Sequence, residues 1–157
     1  MAKATRKAVI GRLQAAARQT RTALASRLLQ HGFYAGQDQI MLSLAESDGQ
    51  TPGMLAQNLG VRPPTITKTI NRLAAQGFLE RRSSDADSRQ ANIFLTETGR
   101  DAIKAIEKSL RRTEKQALKG LDKKDQKTLA KMLARIEANL ADMPAVAALE
   151  VEEEEEA

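Results

Sequence analysis

Between positions 62 and 72 the chain gathers Arg62, Pro64, Thr65, Thr67, Lys68, Asn71 and Arg72, a set of hydroxyls, one carboxamide and cations. Hydroxyls and amides donate and accept hydrogen bonds, while guanidinium and ammonium groups donate to anionic oxygens. That mixture suits base edges and the phosphates between them. Interleaved with it, Ile66, Ile70 and Leu73 recur at helical spacing, so a helix here buries one apolar stripe and turns the polar set outward. Further on, Arg81 and Arg82 precede a stretch rich in Ser and Asp that contains Ser88 and Arg89. Arginines on such a projection reach a flanking minor groove and sense its width and potential. Asp85 and Asp87 are unexpected against phosphate unless Asp87 steadies the projection by pairing with an arginine.

The elements that must position these groups are marked by their punctuation. Thr51-Pro52 reads as an N-cap followed by proline at the first helical position, with Leu55, Ala56 and Leu59 inward and Gly60 as the stop. Pro63-Pro64 tolerates only a first turn, so the next helix is read over 64–76, with Gly77 as its break. A short helix, a tight turn and a second helix with a polar outer face make a helix-turn-helix. Residues 78–82 and 91–95 are strand-like runs around a polar loop, 83–90, forming a wing hairpin. Upstream, Asp38 caps a short helix with Ile40, Met41, Leu44 and Ala45 inward, closed by Asp48-Gly49. A long amphipathic helix over about 7–29 precedes it, ended by Gly32 and Gly36. Downstream, Thr96 caps a helix carrying Ile103, Ile106, Leu110 and Leu118, and Asp122 caps another carrying Leu129, Met132, Leu133, Ile136 and Leu140.

Length and composition agree with one mainly helical domain. The chain has 157 residues, no Trp, one Tyr and 3% aromatics, leaving Leu, Ile, Val, Ala and Met to build the interior. There is no Cys, which excludes disulfides, thiolate metal sites and thiol redox sensing. Arg12, Arg18 and Arg21 interrupt the apolar runs near the N-terminus, so neither a signal-peptide core nor a membrane span is placed there, and a cytoplasmic protein is expected. The net charge of +5 hides an asymmetry. Residues 1–149 hold all 25 Lys and Arg but 14 of the 20 acids, a net +11, while Glu150 and residues 152–156 form an acidic run. A field of that sign suits a polyanion, and the Glu run self-repels and reads as a tail.

The residues argue against catalysis. No His-Glu-x-x-His, Gly-x-Ser-x-Gly, phosphate loop or dinucleotide fingerprint is present, and His31 is the only histidine. Asp85 and Asp87 lie on a loop without apolar walls to shift their pKa. Neither cofactor nor metal is expected. A rival class is a helical dimeric interaction module with no DNA role, but a wing bearing arginines is superfluous for such an adaptor.

Three stretches resemble the multiple antibiotic resistance regulator (MarR) family of dimeric bacterial repressors: Leu55-Ala56 through Arg72-Leu73, then Gly77-Phe78-Leu79-Glu80-Arg81-Arg82, and then Asp87-Ser88-Arg89 followed by Leu95-Thr96 and Gly99. The resemblance implies a mainly α fold with a winged helix-turn-helix DNA-binding lobe over 37–96. It also implies a helical dimerisation base over 5–35 and 97–143, leaving 144–157 as the acidic tail. The implied partners are double-stranded DNA and a second copy of the chain, with the two recognition helices about one DNA turn, ~34 Å, apart. It further implies a crevice for a small aromatic or phenolic effector near His31, Phe33, Tyr34, Met41 and Leu44, whose occupation releases DNA. A ligand-independent DNA-binding regulator is the variant of this reading in which no such effector acts.

Overall fold

A computed structural model describes residues 2–84 and 87–141. The chain divides into two compact units between Ala117 and Leu118. The first holds α1 (Ala2–Leu29), α2 (Gln37–Glu46), α3 (Pro52–Leu59), α4 (Pro63–Ala75), β1 (Leu79–Ser84), β2 (Asp87–Leu95) and α5 (Glu97–Ala117). The second holds α6 (Lys123–Leu140). The mainly helical winged fold expected from sequence is the fold observed.

Local chemistry sets most boundaries where the sequence places them. Thr51 Oγ1 accepts the Met54 backbone N–H at 3.2 Å, and Pro52 occupies the first turn of α3. Gly60 closes α3 in the left-handed region at φ 61°, where a side chain would be strained. Asp122 and Asp125 form a reciprocal capping box at the start of α6, satisfying two otherwise orphaned donors. Thr96 caps α5 with a single bond, its Oγ1 accepting the Gly99 N–H at 3.0 Å.

One apolar cluster organises the first unit. Ile66, Ile70 and Leu73 of α4 are at most 2% exposed and meet Leu55 and Ala56 of α3, Ile40, Met41 and Leu44 of α2, Leu79, Ile93 and Leu95 of the hairpin, and Ile106 of α5. Each such side chain contributes on the order of 1.5–3 kcal/mol when buried, so the helix-turn-helix is locked to the wing and to α5 through shared residues. Arg27 fastens α1 to α5, donating to Thr113 Oγ1 at 2.9 Å and to Gln116 Oε1.

Several details differ from the sequence reading. The first helix begins at Ala2 rather than near Lys7, since the Ala-rich start continues the helix without a breaker. Ala45 faces solvent, because α2 buries only the narrower stripe of Gln37, Asp38, Ile40, Met41 and Leu44. The strands run further than 78–82 and 91–95, shrinking the expected loop over 83–90, and a bulge between Ser83 and Ser84 absorbs the extra residues of β2. The N-cap of α2 is Gly36 at φ 85°, not Asp38.

Asp38 instead sits buried in the first turn of α2. Burial raises its pKa above the ordinary 3.8, opposed by hydrogen bonds from the backbone of Asp38, Gln39 and Gly36. The native carboxyl therefore holds its proton more tightly than the unfolded one. The stability from this group is present at low pH and is lost as pH rises from the ordinary value through the raised one. Asp38→Asn, which keeps an acceptor without the charge, is expected to be at least as stable as wild type at pH 7 and to flatten that loss in thermal melts across pH. A lower Tm than wild type at pH 7 would show that the helix needs the charge more than burial penalises it.

Candidate nucleic-acid interface

The turn between α3 and α4 is built by backbone bonds: Val61 N–H reaches Ala56 O at 3.1 Å, and Ile66 N–H reaches Arg62 O at 3.2 Å. With Ile66, Ile70 and Leu73 inward, Arg62, Pro64, Thr65, Thr67, Lys68, Asn71 and Arg72 are all exposed. The helix starts at Pro63, one residue before its expected first position, with prolines in its first two positions. Neither proline has an N–H, and Thr65 N–H already donates to Arg62 O at 3.0 Å. The end of this helix therefore lacks the open backbone donors that usually attract phosphate, and its side chains are what it offers to an anion.

The wing is aimed by strand alternation. Residues paired across the ladder share a face, so Leu79, Arg81, Ile93 and Leu95 lie together and Glu80, Arg82, Asn92 and Phe94 lie opposite. Arg81 extends the core-facing row past its buried end and donates to Asn71 Oδ1 of α4, tying the base of the wing to that helix. Arg82 is held on the other face, its Nε donating to Glu80 Oε1 at 3.1 Å and its guanidinium 4.4 Å from the Phe94 ring centroid. Both arginines remain exposed. Asp87, Ser88 and Arg89 contribute backbone to β2, but the roles assigned to their side chains, like Asp85 and the acidic tail, lie outside the described residues.

A further stretch of backbone supports the wing from the side and was not foreseen from sequence. Gly49 N–H donates to Ile93 O at 3.0 Å, and Ile93 N–H donates to Gln50 O at 2.8 Å. Asp48, foreseen only as a turn residue, accepts the Leu95 N–H at 3.0 Å and lies 3.6 Å from Arg100. Gln50 is 3% exposed, its amide donating to Ser43 O at 3.0 Å and Ser47 O at 2.8 Å while Asn58 donates to its oxygen at 2.9 Å. One buried glutamine thus joins α2, α3 and the wing's supporting strand. No local signal marks it, since its partners come from separate elements.

Of the five residues placed near an effector crevice, Phe33, Met41 and Leu44 are buried in the core, Tyr34 is half exposed and His31 is exposed. An open cleft of about 570 Å³ is lined instead by residues that include Leu42, Ser43, Glu46, Gln50, Met54 and Asn58. None of the five lines it. Among the described residues no group of three or more His, Asp or Glu is placed to hold a metal ion, and no helix is long and apolar enough to cross a membrane.

A family model described as MarR family matches residues 37–90, from the first residue of α2 into the wing. Solved structures extend the likeness of fold beyond it. The transcriptional regulator SlyA superposes with a TM-score of 0.76 at 22% identity, over 85% of this chain and 94% of that one. A probable transcriptional regulator from Pseudomonas aeruginosa gives 0.72 at 25% identity, over 79% and 92%. A mutant MarR from E. coli complexed with operator DNA gives 0.74 at 22% identity, over 81% and 92%. The winged helix-turn-helix of this chain therefore has the fold of these transcriptional regulators. Within that fold Gly99, the end of the Leu-Thr-x-x-Gly stretch, acquires a physical reason: a Cβ there would lie 2.2 Å from Phe78 O.

Proposed function

We propose that this chain is a MarR-family protein, a cytoplasmic homodimeric repressor that reads pseudo-palindromic operators in double-stranded DNA and releases them when a small aromatic or phenolic compound binds. The observation that carries the reading is the outer face of α4. Thr65, Thr67, Lys68, Asn71 and Arg72 are exposed there in a helix whose opposite face is fully buried, beside a wing fastened to it by Arg81 and Asn71. A buried face fixes the helix, so the polar face is presented as a unit to base edges and phosphates. Arg62 and Pro64 flank the start of this face, and the reading assigns Arg81, Arg82, Ser88 and Arg89 of the wing to contacts with the same duplex.

Dimerisation draws support from α6, which is well capped yet has no buried residue and leaves Leu129, Met132 and Leu140 exposed along its apolar stripe. Effector release would act by population shift. A compound near His31, Phe33, Tyr34, Met41 and Leu44 would favour a separation of the two recognition helices that no longer matches successive grooves.

Selection of duplexes from a random pool by the purified protein tests the reading. An inverted repeat with half-sites about one helical turn (~34 Å) apart is the expected product; failure to enrich any motif would leave the DNA-free helical adaptor. On a selected duplex, Lys68→Ala is expected to reduce the slope of log affinity against log salt by about 1 if its ammonium neutralises a phosphate. An unchanged slope would remove Lys68 from the phosphate contacts.

A further inference from the structure

The turn joining α1 to α2 is docked onto the last turn of the recognition helix by several independent contacts. The Phe33 ring stacks on Phe78, just past α4, with centroids 4.8 Å apart and planes at 30°. Gln37 is 1% exposed, and its Oε1 accepts the Tyr34 N–H at 2.9 Å while its own backbone N–H donates to Tyr34 O at 3.1 Å. The Gln37 amide donates to Gln76 Oε1 at 2.8 Å, and the Gln76 amide donates back to Gly32 O at 2.9 Å. Tyr34 is thus bonded on both sides of its backbone and fixed relative to Gln76, one helical turn beyond Arg72. Tyr34 is nevertheless 50% exposed, so burial alone does not account for its position. Instead the ring lies beneath the Arg72 guanidinium, whose carbon is 5.2 Å from the ring centroid.

We propose that Tyr34 is a positioning residue for DNA binding, holding the Arg72 guanidinium in place on the outer face of α4 before DNA arrives. The inference rests on the reading of α4 as the recognition helix. An exposed arginine samples many rotamers and loses that freedom when it engages a ligand. A ring on which it already rests removes part of that loss in advance. Attraction to the ring acts through the charge and uses none of the five N–H donors, which stay available for phosphate or guanine. The frame that sets the ring is the polar relay from Gln37 to Gln76, which belongs to the fold and not to the DNA surface.

The test is a double-mutant cycle on the full chain, with Kd measured on a duplex that the wild-type protein selects from a random pool. Tyr34→Leu is expected to weaken binding about two- to fivefold for each recognition helix engaged, the range of an exposed cation–π contact. Tyr34→Phe, which keeps the ring, is expected to match wild type. Arg72→Ala is expected to weaken binding more, and Tyr34→Leu added to it should cost nothing further. A purely structural role for Tyr34 would weaken binding equally with and without Arg72, and that additive result overturns the proposal. So does Tyr34→Leu binding as well as or better than wild type. Should Tyr34→Leu unfold at a markedly lower temperature, Tyr34→Gln replaces it in the cycle. If the wild-type protein selects no duplex, the recognition-helix reading falls and this proposal with it; binding with the wrong cycle pattern overturns this proposal alone.

Discussion

Gly99→Ala is expected to destabilise the protein by about 2–3 kcal/mol, lowering Tm by roughly 5–10 °C. Two effects of opposite sign meet at this position. Alanine is favoured over glycine within a helix by about 1 kcal/mol, and Gly99 lies in the first turn of α5. Against that, the new methyl would stand 2.2 Å from Phe78 O and 3.1 Å from its carbonyl carbon. Backbone cannot rotate aside as a side chain does, and that same oxygen accepts the Thr96 N–H at 3.0 Å. Relief of the clash would pull α5 from the base of the wing and strain the contact between Thr96 Oγ1 and Gly77 O. Overpacking therefore outweighs propensity. Gly11→Ala is the matched control, since nothing lies within 4 Å of the Cβ it would gain in the middle of α1, and it should leave Tm unchanged or slightly raised. Equal melting temperatures for wild type and Gly99→Ala would mean that the two segments separate at little cost.

Met132→Glu is expected to convert the proposed dimer to monomer and to lower affinity for a two-half-site duplex by a factor on the order of 10²–10⁴, the advantage of linking two recognition helices. The side chain is 59% exposed, and a substitution at such a site in a monomer stays within about ±0.5 kcal/mol. In an apolar contact between copies, however, two carboxylates would be desolvated without partners. Sedimentation of the variant separates the cases. A monomeric mass with an intact helical spectrum supports dimerisation through α6, whereas an unchanged mass and an unchanged Kd would place the contact between copies elsewhere.

What the sequence displays well is whatever a few neighbouring residues decide. Thr51-Pro52, Gly60, Thr96 and Asp122 bound their helices through caps that span three or four positions, and Ile66, Ile70 and Leu73 reveal their buried face by spacing alone. The outer face of α4 follows from the same spacing, which is why Thr65, Thr67, Lys68, Asn71 and Arg72 were legible as one surface. The wing's length was not, because residues 83–90 lack the apolar alternation that would announce paired strands. Gln37 and Gln50 were hidden for another reason. Each is polar and buried only because tertiary geometry brings partners to it: Gln76, far along the chain, in one case, and Ser43, Ser47 and Asn58, close in sequence but on either side of a turn, in the other. The contact between Arg72 and Tyr34 likewise depends on a docked turn that no local pattern encodes. Asp38 shows how a correct residue type can be given the wrong position, since a left-handed glycine two residues earlier supplies the helix start.

The lone tyrosine has an optical consequence. With one Tyr, three Phe and no Trp in the chain, nearly all absorption and emission excited near 280 nm comes from the ring that rests against Arg72. The unlabelled protein therefore carries its own chromophore at the junction of the α1–α2 turn and the recognition helix, with no background from elsewhere. Its emission intensity and near-ultraviolet dichroism would report the local packing of that junction directly, during titration with duplex or with a candidate effector that is itself transparent in that range.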